Sequence, residues 1–156
     1  MNSQHIDRSG MIPINDISDV DPVETRLLRA RADEAREFLG AFKWCRAIRG
    51  QWFAGGFSHA AVFFFEIENG THPDDKYLWV VVGDLPPAYL VIDEIPDYKE
   101  ALLAYVHEMR QWVDAAKSGK SVRDYIPVNV DPTTKNALML ESRLNFIEHE
   151  CVPALP

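Results

Sequence analysis

The chain has 156 residues, of which 47 % are hydrophobic, enough for one domain with a full core and short for two. With 24 acidic against 16 basic residues its net charge is −8, a surface that repels phosphate backbones and anionic lipid and favours a basic partner. Nucleic-acid binding and membrane binding are therefore not expected.

Residues 1–20 are polar and aperiodic, and are expected to form a flexible N-terminal arm, with Met11–Ile14 able to dock on the body. The domain proper, 21–156, opens with a helix in which Asp21 is the N-cap, Pro22 the first helical residue and Glu24 the third. Its apolar stripe reads Val23, Leu27, Ala30, Phe38 and Phe42, with Arg26, Arg29, Arg36 and Glu37 facing water. Beyond Lys43, Trp44–Ile48 alternates loosely. Gly50-Gln51 can turn, Gln51–Phe53 can pair back, and Gly55-Gly56 breaks the segment. Ala60–Ile67 is too continuously apolar for a surface strand and reads as a central one. Asn69–Asp75 is turn chemistry. Tyr77–Val82 is a strand, Gly83–Pro87 a turn and Ala88–Asp93 the returning strand.

The remainder reads as helical. Asp97 caps a helix with Glu100 in the capping-box position. Its buried stripe is Leu102, Val106, Met109, Val113 and Ala116, with Tyr105 and Trp112 at the edge and Lys117, Gly119 and Lys120 as the stop. One short turn over Ser121–Tyr125 leads into an extended Ile126–Val130. Asp131-Pro132 then starts a last helix with Ala137, Leu140, Leu144, Ile147 and Cys151 inward. The expected architecture is α+β: an antiparallel meander of about four strands, one helix before it and two after it. Phe63, Phe64 and Phe65 point to both faces, so the face opposite the late helices also needs cover, from the first helix or from a second copy.

Candidate chemistry is sparse. There is no Walker loop, G-x-G-x-x-G, G-x-S-x-G or H-E-x-x-H, and no C-x-x-C spacing for zinc, so neither cofactor nor metal is implied. Cys45 and Cys151 could pair but read as buried, reduced thiols. The N-terminus lacks an apolar core of signal-peptide length, and the runs Ala60–Phe65 and Leu78–Val82 are too short to span a bilayer, which suggests a cytoplasmic protein. Of the histidines, His59 precedes the central strand, His72 lies in an acidic turn and His107 adjoins Glu108; none has a triad-like neighbourhood. Asp84 and Asp93 stand at opposite ends of one strand, about 25–30 Å apart, too far for a glycosidase pair. Asp84 is expected to bond turn amides, while Asp93, Glu94 and Asp97 start a helix and make an acidic rim. Trp52-Phe53-Ala54-Gly55-Gly56-Phe57 is a glycine-flanked aromatic stretch that cannot easily bury every ring and offers a contact surface.

The segment W-V-V-V-G-D-L-P-P-A-Y at Trp79–Tyr89, the helix after it and I-P-V-N-V-D-P-T-T-K-N-A at Ile126–Ala137 resemble a group of small uncharacterised bacterial proteins. The resemblance covers about Trp44–Ile147 and implies no activity or catalytic residue. In size, acidity and lack of catalytic motif the chain is also similar in type to bacterial immunity proteins that neutralise polymorphic toxins. The resulting expectation is a non-enzymatic acidic protein that occludes a basic partner, such as a toxin domain, through Trp52, Phe53, Phe57, Asp74, Asp75, Asp84, Asp93 and Glu94. Two alternatives remain open. One is a small enzyme or ligand-binding domain with a pocket at His59, Asp84, Tyr89 and His107. The other is a self-associating module whose uncovered sheet face makes a homodimer.

Overall fold

A computed structural model describes residues 6–17, 22–57, 59–92 and 95–155, with the backbone alone at Pro22 and Phe57. Asp21, Asp93 and Glu94 lie outside the described residues. The fold is α+β. In chain order it comprises β1 (Ile12–Pro13), α1 (Pro22–Gly40), β2 (Cys45–Phe57), β3 (Ala60–Asn69), β4 (Tyr77–Gly83), β5 (Leu85–Val91), α2 (Tyr98–Lys117) and α3 (Thr134–Phe146). The strands form one antiparallel sheet in sequential order β1-β2-β3-β4-β5, five strands against the expected four or so, with the two-residue β1 drawn from the N-terminal segment. Among the described residues, no helix is long and apolar enough to cross a membrane.

The Phe63-Phe64-Phe65 run divides the core. Alternation along β3 sends Phe63 and Phe65, with Leu78, Val80 and Val82 of β4, to the face covered by α1. Phe64 joins Val62, Trp79 and Val81 on the face covered by α2 and α3. The sheet is thus the middle of three layers, and the first helix supplies the second cover. Of the expected stripe, Phe38 and Phe42 do pack against this core, but the rest of the contact uses other residues. Ala32, Ala35 and Leu39 are buried, with Leu28 beside them, at helical spacing, whereas Val23, Leu27 and Ala30 stay exposed. Small residues let α1 approach the sheet closely, and Gln51 closes the contact by donating from Nε2 to the Ala32 carbonyl, 2.9 Å.

β2 runs straight through the expected Gly50-Gln51 turn and Gly55-Gly56 break. Its 13 residues face the 10 of β3, and register shifts after Cys45, Ile48 and Phe53 each absorb one extra residue. Such bulges bend a strand and disturb its alternation, and so mimic a turn in the sequence. The β4–β5 turn is tighter than Gly83–Pro87, because Leu85 already pairs with Gly83. The last helix is capped by Thr133, whose hydroxyl accepts from the Asn136 amide, rather than by Asp131.

Tyr105 and Trp112 are fully buried, not at the edge of α2. The Tyr105 hydroxyl donates to the Pro86 carbonyl at 2.5 Å, tying α2 to β5. Burial pushes this phenol far above its ordinary 10.0. The unfolded chain loses that proton first, so the tyrosine's contribution is intact below pH 10 and falls away as the pH rises above it. Chemical denaturation is expected to show stability declining above about pH 10. Tyr105→Phe should flatten that decline while costing about 1–2 kcal/mol at neutral pH. The slope left in the variant would belong to Cys45 and Cys151, whose thiols burial also raises from 9.0, and to Tyr98, whose phenol is raised from 10.0 by burial and then by Asp97.

Candidate functional site

The meander distributes the candidate residues over two ends of the sheet. The β3–β4 turn holds Asp74 and Asp75. Asn69 organises it, its Oδ1 accepting from the Thr71 and His72 amides at 2.9 and 2.8 Å. The β4–β5 turn, about 20 Å away along β4 at ~3.3 Å per residue, holds Asp84. Asp84 does not cap turn amides with its side chain. Its carboxylate, 67 % exposed, meets Arg31 of α1 at 3.0 Å, a surface pair of small energetic weight. Trp52 and Phe53, as neighbours on β2, face opposite layers. Trp52 packs on Phe64 at 5.7 Å and Phe53 on Phe63 at 5.6 Å, both half-buried. Phe57 contributes described backbone only, pairing with Ala60.

His59 and Asp84 come together. The Asp84 amide donates to the His59 carbonyl at 3.1 Å, and both residues line an open cleft of about 470 Å³ with Leu85, Ser142, Arg143, Phe146 and Ile147. Tyr89 and His107 are elsewhere. His107 is exposed on α2 beside Gln111.

Sequence reasoning did not place Cys151 here. Past Phe146 the helix widens to π geometry over Ile147–Cys151, a local rearrangement often seen at functional positions. It sets the Cys151 Sγ 3.1 Å from His59 Nε2, and the His59 ring lies 5.1 Å from that of Phe146. A cysteine nucleophile needs a lowered pKa. Here burial, and after it the Glu150 carboxylate, push the Cys151 thiol up, so it remains a thiol at neutral pH beside His59. At pH 7.5, iodoacetamide is expected to modify Cys151 at least about tenfold more slowly in the folded chain than in urea. Mass spectrometry of the tryptic peptide reads the rate, and a faster rate in the folded chain would identify an activated thiolate. No disulfide joins it to Cys45, and both thiols are free. Cys45 pairs with Asn69 at the far end of β3 from His59, about 30 Å away at ~3.3 Å per residue. Among the described residues, no three His, Cys, Asp or Glu side chains cluster closely enough to hold a metal.

An apolar opening lies along β5. This strand ends the sheet, so its outer edge carries no strand partner among the described residues. A groove of about 490 Å³ runs beside it, walled by Phe38 of α1 and Phe42 just beyond it, by Ala104 and Glu108 of α2, and by Ile95, Ile126 and Pro127. Its floor is Pro87–Val91. Tyr89 leans to the α1 side, edge-on to Phe42 and Trp44 at 5.3 and 5.0 Å, whereas Leu90 packs on the α2 side. Val91 is 44 % exposed. Pro86 and Pro87 lack N–H groups and block strand addition at the start of β5, which leaves Ala88–Val91 as the usable edge.

No family model matches the chain, and no match was found among curated proteins or solved structures.

Proposed function

We propose that the protein acts by binding another protein, without chemistry of its own, and that it is an immunity-type inhibitor that occludes a basic bacterial toxin domain. The observation that carries this reading is the β5 edge, unpaired among the described residues and set in an apolar groove. An extended segment of a partner can add to Ala88–Val91 by main-chain hydrogen bonds, while its side chains enter pockets on both faces of the sheet. Glu108 is the charged residue in the groove wall, and the chain's net charge of −8 steers a cationic partner toward it. Asp74 and Asp75, in the β3–β4 turn on the side of the sheet where β5 ends, strengthen the same field in this reading, and the carboxylates of Asp93 and Glu94 add to the chain's negative charge. Trp52, Phe53 and Phe57 serve as aromatic contacts farther along the sheet.

The test uses the product of the reading frame immediately upstream of this chain's own, which this reading expects to carry a basic toxin domain. Purified together, the two are expected to associate with an on-rate that falls steeply between 50 and 500 mM salt, on the order of tenfold or more. Leu90→Lys and Val91→Glu should weaken the complex. Association indifferent to salt would sink the reading, and so would full affinity in both groove variants. The cleft joining His59 and Asp84 favours a second reading, a ligand-binding or catalytic pocket. Saturable binding of a small metabolite that Asp84→Asn abolishes would raise it above the first. Self-association through β5 would instead give a concentration-dependent dimer in light scattering, lost in Leu90→Lys.

A further inference from the structure

Three aromatic rings on the α2 side of the sheet surround a cation. Trp52 and Phe64 are cross-strand partners, as are Glu66 and Tyr77, and Phe64 and Glu66 share a face of β3. The Phe64 ring lies 5.6 Å from Tyr77, nearly parallel at 14°, and 5.7 Å from Trp52, tilted by 56°. The Arg8 guanidinium sits over all three, 5.0 Å from the Trp52 centroid, 5.6 Å from Phe64 and 5.4 Å from Tyr77. One such contact is common on a protein surface, but three converging faces form a cage of the kind that recognises organic cations.

The cage belongs to the body of the fold and its occupant does not. Phe64 is held from behind by Trp79, edge-on at 5.2 Å. Trp52 lies flat over Gly50, where a Cβ would stand 2.6 Å from the indole Cη2, so the ring's position depends on the bare backbone there. Arg8, by contrast, is an exposed residue of the N-terminal segment, reaching the rings from between buried Ile6 and the two-residue β1. Its departure would open a preformed, acid-flanked pocket, with Glu66 on the same face.

We propose that Trp52, Phe64 and Tyr77 form a cation-recognition site that Arg8 fills in cis and that an arginine side chain of the basic partner fills in trans. The part in trans rests on the binding function proposed above; the part in cis does not. Arg8 then acts as a built-in competitor, tethered at a high local concentration, which a partner arginine must displace.

The experiment uses the full chain and ethylguanidinium, the head of an arginine side chain, followed by the Trp52 indole N–H in two-dimensional NMR. Arg8→Ala is expected to give a saturable shift with an apparent affinity about tenfold tighter than wild type, because the internal competitor is gone. Arg8→Ala with Gly50→Ala, which displaces the Trp52 ring and keeps the fold, should lose the saturable shift. No saturable shift in Arg8→Ala, or equal affinity with and without Arg8, overturns the site. With the toxin domain as ligand, Arg8→Ala should bind about tenfold tighter. Unchanged partner affinity alongside ethylguanidinium binding overturns the role in trans and leaves the binding function standing. Failure of every variant to bind that domain at low salt defeats the binding function and the role in trans, while the ethylguanidinium result still decides the site itself.

Discussion

Replacing Gly83 with alanine is expected to cost about 3–5 kcal/mol, a large part of the margin that holds a domain folded. At φ +155° the backbone is one that L side chains rarely adopt, and a Cβ would meet the His59 carbonyl oxygen at 2.2 Å, its carbon at 2.5 Å and the Ala60 nitrogen at 2.9 Å. All three are backbone atoms of the neighbouring turn. They cannot retreat without breaking the Ala60–Gly83 pairing and the Asp84 amide bond to His59. The damage should therefore spread from the β4–β5 turn to the His59–Cys151 contact. Gly119→Ala is the control. Its φ is +70° with nothing within 4 Å, so it carries strain without crowding and should cost about 1 kcal/mol. Urea denaturation midpoints compare the two, and equal losses would show that the β2–β3 turn yields to a methyl group at residue 83.

Much of this fold was legible wherever a single periodicity governed a segment. The α2 stripe from Leu102 to Ala116 and the α3 stripe from Ala137 to Leu144 are buried as their 3.6-residue spacing requires, and Ile147 and Cys151, in the π turn that follows, are buried as expected too. The Phe63-Phe64-Phe65 run correctly demanded cover on both faces. Legibility failed where two solutions shared one pattern. In α1, Val23, Leu27 and Ala30 make as good a stripe as Leu28, Ala32 and Ala35. The sheet took the second because small side chains allow close approach and Gln51 can reach the Ala32 carbonyl. In β2, three extra residues absorbed as bulges look the same in one dimension as a turn followed by a new strand.

The candidate sites were less legible, because each is made of residues far apart in sequence. His59 and Cys151 are 92 positions apart, and only the π turn at the chain's end aligns them. Nothing local marks Arg8 as the partner of Trp52, Phe64 and Tyr77. The usable signal was a lone arginine in an otherwise uncommitted segment, together with Gly50 two residues before a tryptophan, where bare backbone makes room for a flat ring. The β5 edge was hidden: Pro86-Pro87 reads as part of a turn, and that α1 and α2 build a groove around Ala88–Val91 follows only from three layers meeting at the last strand.

Trp79 joins the core to both surfaces, and its substitution should therefore be felt at each. It is wholly buried, stands edge-on to Phe64 behind the ring cage, and donates its indole N–H to the Ile95 carbonyl at 3.1 Å. Trp79→Ala is expected to cost about 3–5 kcal/mol through the cavity alone. Trp79→Phe is the more informative change. A phenyl ring fills much of the volume and still supports Phe64, but it leaves the Ile95 carbonyl without its donor, at about 1–3 kcal/mol. Ile95 lines the β5 groove, so the loss should concentrate there: amide exchange at Ile95, which donates to the Ile92 carbonyl, should accelerate more than exchange within α2. Partner affinity should then fall in Trp79→Phe while ethylguanidinium binding to the cage persists in the Arg8→Ala background. Equal acceleration across the groove and α2 would mean that Trp79 supports the whole layer and does not pin the groove wall.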